Sequence, residues 1–162
     1  MAAAPIMTRP GEARDINFLR DMIRHTGLDR SGVTIDAEPP PLSRYVAGWG
    51  RAGDTSLIAL DESTHVPVGA AWYRLFSAEE PGYGFVDENT PELTVAVVPS
   101  RRGEGIGQEL LTAIVEQARA NGFASISMSV VRDDAAVGLF EKNGFRKIRE
   151  VGSAVVMALD LG

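Results

Sequence analysis

An apolar strand that leads into a glycine-rich helix start is the feature of this sequence that most restricts its fold. Residues 93–98 read Leu-Thr-Val-Ala-Val-Val, and Pro99 ends the run. Gly103, Gly105 and Gly107 follow, and apolar residues then recur three and four positions apart as far as residue 120, which predicts an amphipathic helix. A strand, a glycine turn and a helix in this order are typical of an α/β protein that binds an anion at the helix start.

The glycine loop has the composition of a phosphate site. A helix start presents about four backbone N–H groups without intrahelical partners and carries a partial positive charge. Glycine has no Cβ, so the backbone can approach a phosphate closely, and Arg101 and Arg102 add cationic donors. Residues 102–107 are therefore predicted to bind an anion.

Two common nucleotide motifs do not fit this loop. A P-loop requires Lys followed by Ser or Thr after the glycines, and no such pair is present. A dinucleotide-binding G-x-G-x-x-G motif that starts at Gly103 would need a glycine where Gln108 stands. The strand–loop–helix unit also lies late in the chain, after a predicted hairpin, which is unusual for that motif.

The remaining periodicity predicts one α/β domain over residues 1–162, with a mixed sheet and with residues 1–5 frayed. Apolar runs predict strands over residues 6–8, 55–60, 66–76, 93–98, 123–131, 145–151 and 154–159. Helices are predicted over 12–25, 42–49, 105–120 and 133–142, with Gly27 ending the first. Residues 27–41, which end in three prolines, are predicted to form a surface loop beside the substrate.

Composition removes several classes of function. The chain has no Cys and only two His, so disulfides, thiol nucleophiles and Cys-based metal sites are excluded and no metal site is expected. A net charge of −6 argues against nucleic acid as the main partner. Without an apolar run of ~20 residues or a signal-like start, we expect no membrane association and a cytoplasmic location.

Two blocks of sequence resemble the GCN5-related N-acetyltransferase (GNAT) superfamily. Arg102, Gly105 and Gly107 match its [R/Q]-x-x-G-x-[G/A] pattern within "LTVAVVPSRRGEGIGQELL", which is similar to the family's motif A. Further on, "DDAAVGLFEKNGF" resembles the family's "N-x-x-A-x-x-L-Y-E-K-x-G-F" segment. One predicted strand separates the two blocks, as in the family. The resemblance covers about residues 92–159, and the order of elements extends it over 5–76.

The resemblance implies a fold, a co-substrate and a binding site. The implied fold is a mixed, mostly antiparallel sheet of about six to seven strands with about four flanking helices, in which two strands splay apart at the cleft. Acetyl-CoA would bind there without a metal, and its acetyl group would pass to a primary amine by direct attack. Backbone groups of Val95, Ala96 and Val97 would pair with pantetheine, and the Val97 N–H would face the thioester oxygen as an oxyanion donor. The pyrophosphate would be held by the loop and helix start, that is, by Arg102, Gly103, Glu104, Gly105, Ile106, Gly107 and Gln108.

The general base implied by the resemblance is a carboxylate near the start of the strand before the loop. Glu92 is the first candidate, because it begins the strand that leads to the thioester, and its alternative interpretation is a solvent-facing acid. Glu88 and Asp87 are further candidates. At the position where some relatives carry a base, this chain has Met128, which cannot act as one.

Two residues depart from the family pattern. Phe140 replaces the tyrosine to which the family's general acid is often assigned. Tyr83, Tyr73 or Ser129 could protonate the thiolate in its place, with Tyr83 the first candidate. Asp133 replaces the family's asparagine. It is predicted to act as a helix N-cap and as a cofactor contact.

Three functions remain open at this stage. The first is an N-acetyltransferase that acts on a small-molecule or peptide amine, as a monomer or a homodimer. The second is an acyl-CoA sensor without turnover, which the substitutions at 133 and 140 would suit. The third is an interaction module in which the glycine loop is only a tight turn.

Overall fold

The fold is described by a computed structural model over residues 5–26 and 40–162. Seven strands form one sheet in the order β1-β2-β3-β4-β5-β7-β6. The strands are β1 (Ile6–Pro10), β2 (Thr55–Asp61), β3 (Pro67–Arg74), β4 (Glu92–Val97), β5 (Ser125–Val131), β6 (Arg146–Val151) and β7 (Ala154–Asp160). Every predicted strand is therefore confirmed, with ends displaced by up to two residues.

The described residues contain three α-helices rather than the four predicted. They are α1 (Ile16–Met22), α2 (Ile106–Ala120) and α3 (Ala136–Lys142). Short 3-10 turns extend α1 at both ends, so that the segment 13–25 is helical almost as predicted. The predicted end at Gly27 and the loop positions 27–39 lie outside the described residues.

Two helix predictions were wrong in extent. The helix predicted over residues 42–49 is a single 3-10 turn, Leu42–Tyr45, and the chain then passes through left-handed backbone at Gly48 and Gly50. The helix predicted from residue 133 begins at Ala136, because the Asp134 carboxylate accepts the Ala136 N–H and holds the preceding residues in a turn.

The sheet is antiparallel except at its centre. β4 and β5 run parallel, and among the described residues they are paired at one position, Glu92 with Ser127. Beyond that pair the two strands separate toward their C-terminal ends. This confirms the predicted mixed, mostly antiparallel sheet, and the fork between β4 and β5 is the splay that the family resemblance implied.

The two faces of the sheet bury separate cores. Leu93 of β4 packs in a large cluster with residues of α2 such as Leu110 and Ile114. Ala96 of β4 belongs to the opposite cluster, which contains residues of α1 and Trp72. Successive side chains of a strand point to opposite faces, so Glu92, Thr94 and Ala96 share the α1 face.

A buried ion pair anchors the Leu42–Tyr45 turn to the sheet. The Arg74 guanidinium donates two hydrogen bonds to Asp54, at 2.9 and 2.6 Å, and both side chains are almost fully buried. Its remaining nitrogen donates to the carbonyls of Arg44 and Ala47. Arg74 thereby fixes the position of Tyr45 beneath the sheet.

None of the described helices is both long and apolar enough to span a membrane.

Candidate active site

A cavity of about 530 Å³ opens between the splayed strands β4 and β5 and reaches the start of α2. Most of the predicted cofactor-binding residues line it, namely Val95, Ala96, Val97, Arg102, Gly103, Gly105, Ile106, Gly107 and Gln108. The structure therefore brings the strand and the glycine loop together around one space.

Two glycines of the loop have left-handed backbone that other residues adopt only with strain. Gly103 has φ 82° and Gly105 has φ 85°, and Gly105 is the residue immediately before α2. This geometry lets the chain turn sharply from the 3-10 turn Pro99–Arg101 into the helix. The free N–H groups of the first turn of α2 lie at the wall of the cavity.

The charged side chains of the loop have partners of their own. Arg101 donates to Glu104 at 2.8 Å and to Asp61 at 2.9 Å, and Arg102 donates to the carbonyl of His25 at 2.9 Å. Arg101 and Arg102 also line the cavity, whereas Glu104 lies outside its wall. A cofactor contact of Glu104 stays a prediction.

Backbone directions in β4 follow from one hydrogen bond. The Val98 N–H donates to the Val68 carbonyl of β3 at 2.9 Å. Because N–H groups alternate between the two edges of a strand, the N–H groups of Val97 and Val95 point toward the fork, and that of Ala96 points to β3. The geometry is compatible with Val97 as an oxyanion donor.

Asp133 is exposed and lies outside the cavity wall, which contains Asp134 instead. The N-cap role predicted for Asp133 was wrong, because the carboxylate that accepts the Ala136 N–H is that of Asp134, at 2.8 Å. The sequence comparison did not select Asp134, because the family's motif aligns its asparagine with Asp133, the first of the two adjacent aspartates. A cofactor contact of Asp133 stays a prediction.

Glu92 is deeply buried rather than facing solvent. Its side chain is 1% exposed, and the Tyr45 hydroxyl donates a hydrogen bond to Oε2. Among the described residues, no group makes a hydrogen bond of normal geometry to Oε1. Oε1 packs against Gly82 so closely that a Cβ there would overlap it. Loss of hydration raises the pKa of Glu92 to about 7. The Tyr45 hydrogen bond, the Gly84 backbone N–H and the charge of Arg149 act in the opposite direction and lower it.

Tyr45 is a residue that sequence reasoning did not connect with the base. Its hydroxyl accepts the Tyr83 N–H at 2.8 Å, and the two rings stack with centroids 6.5 Å apart. Tyr83, the predicted acid, is half-buried against Tyr45 and is not part of the cavity wall. Asp87 and Glu88 are exposed, and the Glu88 carboxylate accepts the Ala78 N–H at 3.0 Å.

No group of three or more His, Cys, Asp or Glu that could hold a metal occurs within residues 5–26 and 40–162.

The family model for the acetyltransferase (GNAT) family matches residues 21–145. The chain belongs to the GNAT family. The glycine loop, the fork and both sequence blocks thus lie inside the matched region.

Named relatives of this GNAT chain are acetyltransferases. It is 32% identical over 115 residues to the L-methionine sulfoximine/L-methionine sulfone acetyltransferases of Pseudomonas paraeruginosa PA7 and Pseudomonas aeruginosa PAO1. The aligned part covers 68% of this chain and 63% of each relative. The fold is that of a phosphinothricin acetyltransferase from Sinorhizobium meliloti, solved with acetyl-CoA, with a TM-score of 0.67 at 20% identity and coverage of 97% and 89%.

The position of the family's tyrosine is apolar in this GNAT chain. Phe140 lines the cavity and packs edge-on against Phe145, with centroids 5.4 Å apart. Of the replacement donors predicted, Tyr73 accepts a hydrogen bond from Asn121 near the end of α2, away from the fork. Ser129 lines the cavity.

Proposed function

We propose that this protein transfers an acetyl group from acetyl-CoA to the primary amine of a small molecule. The observation that carries the proposal is the cavity that joins the glycine loop at the start of α2 to the fork between β4 and β5. One end has the donors for a pyrophosphate, and the other has an open strand edge beside a buried carboxylate.

The residues at the loop end fit coenzyme A. Gly103 and Gly105 have positive φ angles. Apart from their chain neighbours, no atom of the described residues lies within 4 Å of where their Cβ atoms would be, so the backbone there is open to a ligand. The amides from Gly103 to Gln108 would hold the pyrophosphate with the helix dipole and Arg102. The free edge of β4 at Val95 and Val97 would pair with pantetheine. Bound there, acetyl-CoA supplies a thioester, an activated acyl group with a good leaving group.

Glu92 fits the task of a general base. An amine acceptor enters as an ammonium ion and must lose a proton before its nitrogen can attack. A base is most effective when its pKa lies near the working pH, and burial raises the pKa of Glu92 to about 7. Charge that develops on the thioester oxygen would be stabilised by the N–H of Val97, which points toward the fork.

The acceptor class is inferred from the relatives. The two Pseudomonas enzymes are named for L-methionine sulfoximine and L-methionine sulfone, and the Sinorhizobium structure for phosphinothricin. These are small amines, so a small-molecule acceptor is proposed ahead of a peptide. The organisation as one domain, the monomer or homodimer state and the cytoplasmic location stay predictions.

The test is an acetyl-CoA thiol-release assay with L-methionine sulfoximine, L-methionine sulfone and a panel of amino acids and peptide amines, with the acetylated product identified by mass spectrometry. Glu92→Gln should lower kcat/KM roughly 10²- to 10⁴-fold, as loss of general-base catalysis does. Glu88→Gln, the same change at the exposed alternative, should leave the rate within about twofold. Specific CoA binding without turnover of any amine would support the sensor instead.

A further inference from the structure

Unpartnered polar atoms cluster at the fork of the sheet. Four buried side-chain nitrogen or oxygen atoms among the described residues make no hydrogen bond, and three of them are Glu92 Oε1, Thr94 Oγ1 and Ser129 Oγ. Thr94 is 4% and Ser129 8% exposed. Buried polar atoms are nearly always paired, because leaving one unpaired costs stability, so three at one place indicate a site for a missing partner.

The sheet register places these three residues on one face of the sheet, at the fork. Glu92 of β4 is paired with Ser127 of β5, and the strands run parallel. Two residues further along each strand, Thr94 therefore stands opposite Ser129, just beyond the pair at which the strands part. Side chains two apart share a face, and their Cα atoms are roughly 7 Å apart. All three side chains thus project from the same face, around the point where the fork opens.

Two of the three residues belong to the wall of the cavity. Thr94 and Ser129 line its wall, whereas Glu92 lies outside it, under Tyr45 and Gly82. An amine in the cavity therefore lies beside Thr94 and Ser129, and Glu92 is set behind the wall. Each hydroxyl can accept one hydrogen bond and donate another. The hydroxyls therefore have the chemistry to connect an amine in the cavity to Glu92.

We propose that the hydroxyls of Thr94 and Ser129 bind the acceptor's amino group and pass its proton to Glu92. This inference rests on the proposed acetyl transfer. Thr94 Oγ1 accepts a proton from the ammonium and releases its own to a bridging water, which passes a proton on to Glu92 Oε1. The hydroxyl and the water both end unchanged, while Ser129 Oγ holds the nitrogen from the other strand.

The transfer that follows balances in atoms and charge. The amine nitrogen forms a bond to the acyl carbon, the C–S bond breaks, and its electron pair leaves on sulfur. A second proton passes from the nitrogen to sulfur, so the products are an amide and a free thiol. The proton held by Glu92 returns to solvent. Thr94 and Ser129 are thus catalytic residues that touch the acceptor, distinct from the loop that binds the donor.

The test compares Thr94→Val and Ser129→Ala with two matched controls. Thr90→Val and Ser125→Ala make the same changes at two hydroxyls that bond to each other at 3.1 Å, outside the cavity wall. Steady-state rates are measured with L-methionine sulfoximine. Binding of that amine in the presence of CoA is measured by calorimetry, and stabilisation by CoA alone by thermal unfolding.

The proposal predicts a loss of about 10- to 100-fold in kcat/KM for the amine in each site variant, the size of a lost hydrogen bond to a charged group. Amine binding should weaken while stabilisation by CoA is unchanged. Thr94→Ser, which keeps the hydroxyl, should recover most of the rate, and the controls should stay within about twofold. If Thr94→Val has the rate of wild type while Glu92→Gln is inactive, the proton path through Thr94 is overturned, and the assignment of Glu92 as the general base is kept. Full activity of Glu92→Gln would refute the assignment of Glu92 as the general base.

Discussion

Replacing the buried Glu92 by Gln should change how the stability of the fold depends on pH. In the unfolded chain this carboxyl has a pKa near 4.5, and burial raises it to about 7 in the folded protein. Between these values the unfolded chain loses its proton and the folded protein keeps it. Since the folded state then binds more protons, stability falls as pH rises through this window. The glutamine side chain of the Glu92→Gln variant keeps an oxygen that can accept the hydrogen bond from Tyr45. It has no ionisable group, so this contribution to the pH dependence is lost.

The magnitude follows from the two pKa values. At 1.36 kcal/mol per pKa unit, the difference corresponds to about 3 kcal/mol, as an order of magnitude. The free energy of unfolding of Glu92→Gln minus that of wild type should therefore increase by about 3 kcal/mol between about pH 4 and about pH 8.5. Most of the increase should fall in the window between the two pKa values.

Urea unfolding at a series of pH values measures this difference. Glu62→Gln, the same change at an exposed turn residue, serves as the control for loss of one negative charge. A difference between Glu92→Gln and wild type that stays constant across the pH range would refute the argument, because Glu92 would then ionise alike in both states.

Two further changes test the surroundings of the base. Tyr45→Phe removes a hydrogen bond that lowers the pKa of Glu92, so the acid limb of the pH profile of kcat/KM should move to higher pH. Tyr73→Phe makes the same change away from the fork and should leave the acid limb in place. An unmoved acid limb in Tyr45→Phe would contradict the assignment of that limb to Glu92. Arg74→Met removes the ion-pair partner of the buried Asp54 carboxylate and should lower the free energy of unfolding, measured in urea, by about 3–5 kcal/mol. Arg146→Met breaks an exposed ion pair and should lower it by under about 1 kcal/mol. Equal losses in the two variants would contradict the role of burial.

The elements that could be predicted are those whose signal is local. The strand over β4, the glycines at 103 and 105, and the apolar stripe of α2 each have a physical cause within a few residues of sequence. The two glycines have left-handed backbone angles that other residues adopt only with strain. The resemblance to the GNAT family then supplied the splay of β4 and β5, which no local pattern encodes.

The parts that could not be predicted depend on contacts between distant segments. Tyr45 reaches Glu92 across 47 positions of sequence, so nothing near either residue indicates the pair. The burial of Glu92 also required the loop at Gly82 to lie against it, and the sequence alone did not favour burial over exposure. In the sequence, Thr94 is only a polar residue of a strand in which apolar residues dominate. That its hydroxyl lacks a hydrogen-bond partner at the fork becomes apparent only in the structure.

The most direct test of the central claim measures whether CoA binds through the glycine loop. Gly105→Val and Gly122→Val place the same side chain at the two ends of α2, where both glycines have φ near 85° and open space around the missing Cβ. Both variants should lose similar stability from backbone strain, of about 1–3 kcal/mol. At 100 times Kd, CoA should stabilise wild type and Gly122→Val by about 2.7 kcal/mol, and Gly105→Val by far less. Equal stabilisation of the two variants would contradict the assignment of the loop as the pyrophosphate site.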